Sequence, residues 1–253
     1  MKLKNKIAIV TGGASGLGEA TVRKLVEMDN KAVIFDLNKE RGDTLVEELG
    51  EAVLFQEVNV ADDVSVQAGI TTTIKQFKAV HILVNCAGIG PAVKTLGKQG
   101  PHPLDTFKEV IDINLNGTFN VLRLVAEQMA INEPNQDEER GVIINTASVA
   151  AFEGQKGQAA YAASKGGIVG MTLPVARDLA WYGIRVCTIA PGIFHTPLFQ
   201  GLGEEVVTGL SKQVLFPKRL GKPAEYAEMV STIVQNSYMN GETIRLDGGI
   251  RMQ

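Results

Sequence analysis

At 253 residues, with 45% hydrophobic and 21% charged side chains, the chain has the length and composition of one large α/β domain with ample core. Its formal net charge of −3 offers no basic field to nucleic acid or an anionic membrane. No apolar run approaches the ~20 residues a bilayer span requires, and the three scattered histidines (His81, His102, His195) lack ligand spacing, so no metal is expected.

The basic start passes at once into an apolar strand over 7–10, so no cleavable signal or long transit segment is expected. Next comes the glycine-rich stretch 11–18, opening a helix over 19–28. Glycines at Gly12, Gly16 and Gly18 permit a tight turn and let the backbone approach a pyrophosphate seated on the helix N-terminus. A strand over 32–36 ends on Asp36, about twenty residues beyond that loop, where a carboxylate accepts hydrogen bonds from an adenosine ribose. Such a carboxylate repels a 2′-phosphate, and Leu37 rather than arginine follows it, which favours NAD(H) over NADP(H). The other reading of Asp36, a cap for the next helix, stays open. A helix over 39–49 and a strand over 52–60 follow; Asn59 and Val60 close that strand, placing a side-chain oxygen where an adenine amino group would lie.

A helix over 64–77 leads to a strand over 81–85, and Asn85, Cys86, Ala87 and Gly88 supply small residues where a dinucleotide needs room. Both Cys86 and Cys187 lie in apolar, strand-like runs, which suits reduced thiols better than a disulfide. Residues 90–103 read as a loop and 104–129 as a long helix. Asn114, Asn116 and Gly117 are poor helix-interior residues, so an irregularity or a polar role is expected there. The acidic stretch 132–140 reads as a surface excursion before a strand over 142–145.

Ser148 follows that strand, and Tyr161 and Lys165 stand one turn apart on a helix over 158–181. A tyrosine ionises near pH ~10, and an adjacent ammonium favours the phenolate. Lowering that value by about three units takes roughly 4 kcal/mol, within reach of one close charge in a dry pocket. Ser148 can then hydrogen-bond the oxygen being protonated. By itself such a Tyr/Lys pair is also what a solvated helix face presents; the glycine loop and Asp36 give it its meaning. Strands over 185–189 and 243–246 and a helix over 224–235 complete the alternation of a doubly wound, seven-stranded parallel sheet in a single Rossmann-type domain, 1–253. Residues 194–223, after Pro191 and Gly192, read either as a substrate lid or as a packing appendage.

The Thr11–Gly18 loop, Asn85 to Gly88, Asn114, Ser148, Tyr161 with Lys165, and Pro191-Gly192 together resemble the short-chain dehydrogenase/reductase family over nearly the whole chain. That resemblance implies an NAD-dependent oxidoreductase interconverting a secondary alcohol and a ketone. It implies that Tyr161 is the general acid/base, Lys165 its pKa partner and ribose ligand, Ser148 the donor to the substrate oxygen, and Asn114 the anchor of a relay water. Ser15, Leu17, Asp36, Val60, Cys86, Phe194 and Thr196 would line the NAD site, with Gly12, Gly16, Gly18, Asn59, Asn85, Ala87 and Pro191 beside them. Segments 142–154, 190–197 and 244–253 resemble members acting on 3-hydroxyacyl-CoA thioesters, which makes a short or branched acyl-CoA the expected substrate. Three rivals stand beside this: a hydroxysteroid or other alcohol dehydrogenase, an NADPH-dependent 3-oxoacyl reductase, and a non-catalytic cofactor-binding scaffold. Asn59 departs from the family's usual aspartate. The resemblance further implies a homotetramer, paired through the small residues of helix 158–181, in the cytoplasm or, in a eukaryote, the mitochondrial matrix.

Overall fold

Val, Ile and Ala dominate the strand segments, and their lack of polar alternation is what a sheet covered on both faces demands. The computed structural model describes residues 1–197 and 209–252. Its first half runs β1 (Ile7–Thr11), α1 (Gly16–Glu27), β2 (Lys31–Asp36), α2 (Lys39–Leu49), β3 (Val53–Glu57), α3 (Asp63–Phe77) and β4 (Ile82–Asn85). A small hairpin, β5 (Leu96–Gly97) and β6 (Gly100–Pro101), precedes α4 (Leu104–Ile111) and α5 (Gly117–Met129). The second half runs β7 (Gly141–Thr146), α6 (Ala150–Glu153), α7 (Ala159–Ala180), β8 (Ile184–Pro191), α8 (Pro223–Gln235) and β9 (Thr243–Leu246).

Seven strands form one parallel sheet in the order β3-β2-β1-β4-β7-β8-β9. Side chains alternate across it, so β1 sends Ala8 and Val10 to one core and Ile9 to the other. The first core is closed by α1, α2 and α8 through Val22, Leu25, Leu45, Tyr226 and Ile233. The second is closed by α3, α5 and α7 through Val66, Ile70, Val121, Val125 and Val175. Each such fully buried side chain contributes about 1.5–3 kcal/mol. From β1 the chain winds outward to β2 and β3, then returns to β4 on the other side. This reversal opens a crevice at the carboxyl ends of β1 and β4.

Three segments differ from the sequence expectation, and a fourth is described only in part. The strand expected over 52–60 ends at Glu57, and Asn59 lies beyond it, its Oδ1 accepting from the Ala61 N–H at 3.0 Å in the turn into α3. The helix expected over 104–129 is interrupted by a π turn at Asp112–Asn116, which bears out the irregularity expected around Asn114. Segment 132–140 is not all surface. Glu139 is buried and takes two hydrogen bonds from the Arg185 guanidinium, at 2.7 and 2.9 Å. Arg185 also donates to the carbonyls of Ile233 and Val234, satisfying orphan acceptors at the end of α8. The segment expected as a lid, 194–223, is stitched at its base: His195 N–H donates to Gly221 O at 2.8 Å and Gly221 N–H to Ile193 O at 2.9 Å. Its residues 198–208 lie outside the described residues.

His81 carries a pH liability of the sheet. Its Nδ1 accepts from the Ile7 N–H at 3.2 Å, and burial, with a smaller push from Lys6, lowers its pKa from 6.5 to about 4. The unfolded chain therefore binds more protons between those values, and stability is lost as pH falls from 6.5 towards 4. Urea midpoints measured across that range will fall for the wild type and fall less steeply for His81→Asn, which keeps an acceptor but does not titrate.

Candidate active site

The glycine loop folds as its residues require. Gly12 has φ +62°, and a Cβ there would stand 2.9 Å from the Ala87 backbone; one on Gly18 would stand 2.1 Å from the Gly12 carbonyl oxygen. Gly12 thus lets the β4 loop approach, and Gly18 lets the glycine loop close on the start of α1. Ser15 is the N-cap of α1 but makes no side-chain cap hydrogen bond, so its hydroxyl leaves the first-turn N–H groups to the crevice. A helix N-terminus presented in this way is a seat for a phosphate.

Asp36 holds the loop from the next strand. Its carboxylate accepts from the Ala14 N–H at 3.0 Å and the Asn38 N–H at 2.9 Å. The cap of α2 is Asn38, whose Oδ1 accepts from the Arg41 N–H. Of the two readings of Asp36, the helix cap therefore falls away, and Asp36 stands at the crevice wall.

The crevice has a volume of about 500 Å³, within the range of small-molecule and cofactor sites. All the residues singled out in the sequence line it except Asn85 and Asn114. Asn85 stands behind the wall formed by Cys86 and Ala87, its Nδ2 donating to Asn145 Oδ1 at 3.0 Å. Thr146, Ile89 and Gly90 also line the crevice and had no sequence signal beyond their place after strands. Gly90 is placed by fit, since a Cβ there would press on the Tyr161 ring at 3.3 Å. Among the described residues no group of His, Cys, Asp and Glu is arranged to hold a metal ion.

Ser148, Tyr161 and Lys165 meet at the far end, brought together by the close of β7 and the first turns of α7. The Ser148 hydroxyl faces the Tyr161 phenol closely enough to favour its ionised form. Lys165 is buried, and its ammonium donates to the Thr146 carbonyl at 2.8 Å while lying 5.8 Å from the Tyr161 ring centroid. The expected depression of the phenol does not follow from these groups. Burial raises the Tyr161 pKa and the Ser148 hydroxyl only partly offsets it. Burial likewise lowers Lys165 to about 8. Desolvation wins because the ammonium is spent on a carbonyl rather than on the phenol oxygen. At neutral pH the protein's own groups therefore hold Tyr161 as a proton donor beside a mostly charged lysine.

Asn114 is fully buried on the π turn. Its Oδ1 accepts from the Ile89 N–H at 2.8 Å, and its Nδ2 donates to Ile89 O at 2.8 Å and Ser164 Oγ at 3.0 Å. Through these bonds the Asn114 side chain clamps the β4 loop onto α7.

The residues 6–207 match the family model described as short chain dehydrogenase. Over 99% of this chain and 97% of the relative, the sequence is 57% identical to a 3-hydroxyacyl-CoA dehydrogenase type-2 of Bos taurus. The crystal structure of a 3-hydroxyacyl-CoA dehydrogenase type-2 from Mycobacterium avium superposes with a TM-score of 0.95 at 45% identity, covering 98% of this chain and 97% of that one. A 3-ketoacyl-(acyl-carrier-protein) reductase from Brucella melitensis, complexed with NADH, superposes at 0.86 with 28% identity and 98% of both chains covered. The chain belongs to the short-chain dehydrogenase/reductase family. It is an oxidoreductase whose Rossmann-type fold serves a nicotinamide dinucleotide.

Removing the Asn114 clamp leaves the Ile89 N–H and C=O and the Ser164 hydroxyl short of partners. Asn114→Ala is expected to lower unfolding free energy by about 2–4 kcal/mol, read as a drop in the urea midpoint at unchanged slope.

Proposed function

We propose that this chain interconverts the 3-hydroxyl and 3-keto forms of short or branched acyl-CoA thioesters, using NAD(H). The observation that carries the reading is the convergence of Ser148, Tyr161 and buried Lys165 at one end of a crevice whose other end is the glycine loop and Asp36. The names of the Bos taurus and Mycobacterium avium relatives support the substrate class. The residues fit the cofactor: first-turn N–H groups of α1 would hold its pyrophosphate, and the Asp36 carboxylate its adenosine ribose. Leu37 beside Asp36 provides no cation for a 2′-phosphate, which weighs against the NADPH-dependent rival. When bound, the nicotinamide supplies the carbon that takes or returns the hydride.

The chain's own residues handle the proton and the orientation. Ser148 and Tyr161 together hydrogen-bond the substrate oxygen, polarising a carbonyl in reduction. Tyr161, protonated at neutral pH, gives its phenolic proton to that oxygen as the alkoxide forms. In oxidation it must first lose the proton, so alkaline pH favours that direction. Lys165 places its positive charge beside both the phenol and the presumed ribose. Among the basic residues of segment 194–223, Arg219 is bound to Glu225 at 2.6 and 2.8 Å, while Lys212, Lys218 and Lys222 are exposed and would meet the CoA phosphates. Exposed apolar side chains on α5, α6 and α7 (Phe119, Phe152, Leu173), with Trp181 just past α7, support a homo-oligomer. On α7, Gly167 is taken up by Leu115 of the same chain, while Gly170 faces open space.

With acetoacetyl-CoA and NADH, followed at 340 nm, Tyr161→Phe is expected to lose at least about a thousand-fold in kcat while NADH fluorescence titration still shows binding; undiminished turnover would remove Tyr161 from the chemistry. Asp36→Ala is expected to erode the preference for NAD over NADP by about ten-fold or more in kcat/KM, the weight of a charge-assisted hydrogen bond and a lost repulsion. A wild type that already prefers NADP(H) would refute the part given to Asp36.

A further inference from the structure

Tyr226 has no part in the chemistry derived so far, yet it is fully buried on α8 directly behind the crevice. Its hydroxyl lies 2.7 Å from Thr146 Oγ1 and 3.7 Å from Cys86 Sγ, and Thr146 Oγ1 lies 3.6 Å from Cys86 Sγ. The three groups close a ring in which each donates once and accepts once: Tyr226 O–H to Thr146 Oγ1, Thr146 O–H to Cys86 Sγ, and Cys86 S–H to the Tyr226 oxygen. Burial raises the pKa of both Cys86 and Tyr226, so both keep the protons the ring requires.

The ring sits where the sheet ladder fails. β4 and β7 pair as far as Asn85 and Asn145, and there the pairing stops. Thr146 is still paired on its other side, opposite Ile189 of β8. On the open side its neighbour is Cys86, and side-chain hydrogen bonds to Cys86 and Tyr226 take the place of the ladder. Thr146 is also the residue whose carbonyl receives the Lys165 ammonium at 2.8 Å. No other hydrogen-bond acceptor for that ammonium is seen among the described residues.

We propose that the Tyr226 hydroxyl is a positioning group for Lys165: by pinning the Thr146 side chain across the split between β4 and β7, it holds the Thr146 carbonyl where it captures the ammonium. The proposal rests on the dehydrogenase reading for its kinetic consequence, but not for its physical one. Tyr226 touches neither substrate nor the presumed cofactor. It acts through Thr146. The titratable groups facing Lys165 are Tyr161 from α7, Cys86 from the end of β4 and, one shell behind, Tyr226 from α8; Asn114 from the π turn is neutral. The charged form donates the stronger hydrogen bond to that carbonyl, so loosening it costs the ammonium more than the neutral amine and the lysine loses its proton more easily.

Tyr226→Phe keeps the ring that fills the core and removes one oxygen. With lysine 13C-labelled at Cε, an NMR titration of the full-length protein should place the Lys165 midpoint at lower pH in this variant than in the wild type. In turnover, kcat should fall about three- to ten-fold at pH 8, the weight of one neutral hydrogen bond, and recover towards wild type at lower pH, where the lysine regains its proton. KM should change little. Thr146→Val should behave alike and Thr146→Ser, which keeps the hydroxyl, should restore the wild-type midpoint; these two also decide the matter if Tyr226→Phe does not fold. Coincident Lys165 titrations in wild type, Tyr226→Phe and Thr146→Val would overturn the proposal and leave Tyr226 as core packing. A wild type inactive on every 3-hydroxyacyl-CoA would sink the substrate reading instead, with the titration still deciding this one.

Discussion

An ammonium held by a strand-end carbonyl organises the catalytic end of this molecule. Burying a lysine costs several kcal/mol unless a partner meets it, and the Thr146 carbonyl at 2.8 Å is the partner provided. That carbonyl is open because β7 outruns β4 by one residue of pairing. That strand end lies beside the crevice, whose opening is set by the reversal of strand order between β1 and β4.

Around this point the polar side chains are used as fasteners. Asn114 closes the β4 loop onto α7, Asp36 braces the glycine loop, and Arg185 ties Glu139 to the end of α8. Each fastener is a charged or amide group satisfying backbone that the sheet ladder cannot reach. Buried groups of this kind are costly when unpaired and rigid when paired. The crevice walls are consequently placed by hydrogen bonds between distant segments rather than by any one element.

Electrostatics inside such a wall run opposite to intuition from a helical wheel. Tyr161 and Lys165 share a face of α7, but both are drawn from water, and desolvation pushes each towards its neutral form. A mostly charged lysine beside a neutral phenol is the resting outcome. It suits proton donation to a carbonyl and makes the reverse direction sensitive to pH.

Local rules alone were enough for the strands alternating with helices, the glycine turn, Asp36 at a strand end, and the spacing of Ser148, Tyr161 and Lys165, because short continuous apolar runs, positive φ and one-turn helical spacing are written in neighbouring residues. The poor helix formers Asn114, Asn116 and Gly117 likewise marked an irregularity or a polar role, and a π turn lies there. Contacts between segments far apart in the chain were not legible in that way. Asn85 turning into the sheet, Asn114 spent on Ile89, Lys165 spent on Thr146 rather than on Tyr161, and Tyr226 joining Cys86 and Thr146 all depend on which strand ends lie side by side. Chemistry of the residues was determined by the sequence by itself; which partner each polar atom met, and hence which form it holds its proton in, was decided only when the sheet brought those ends together.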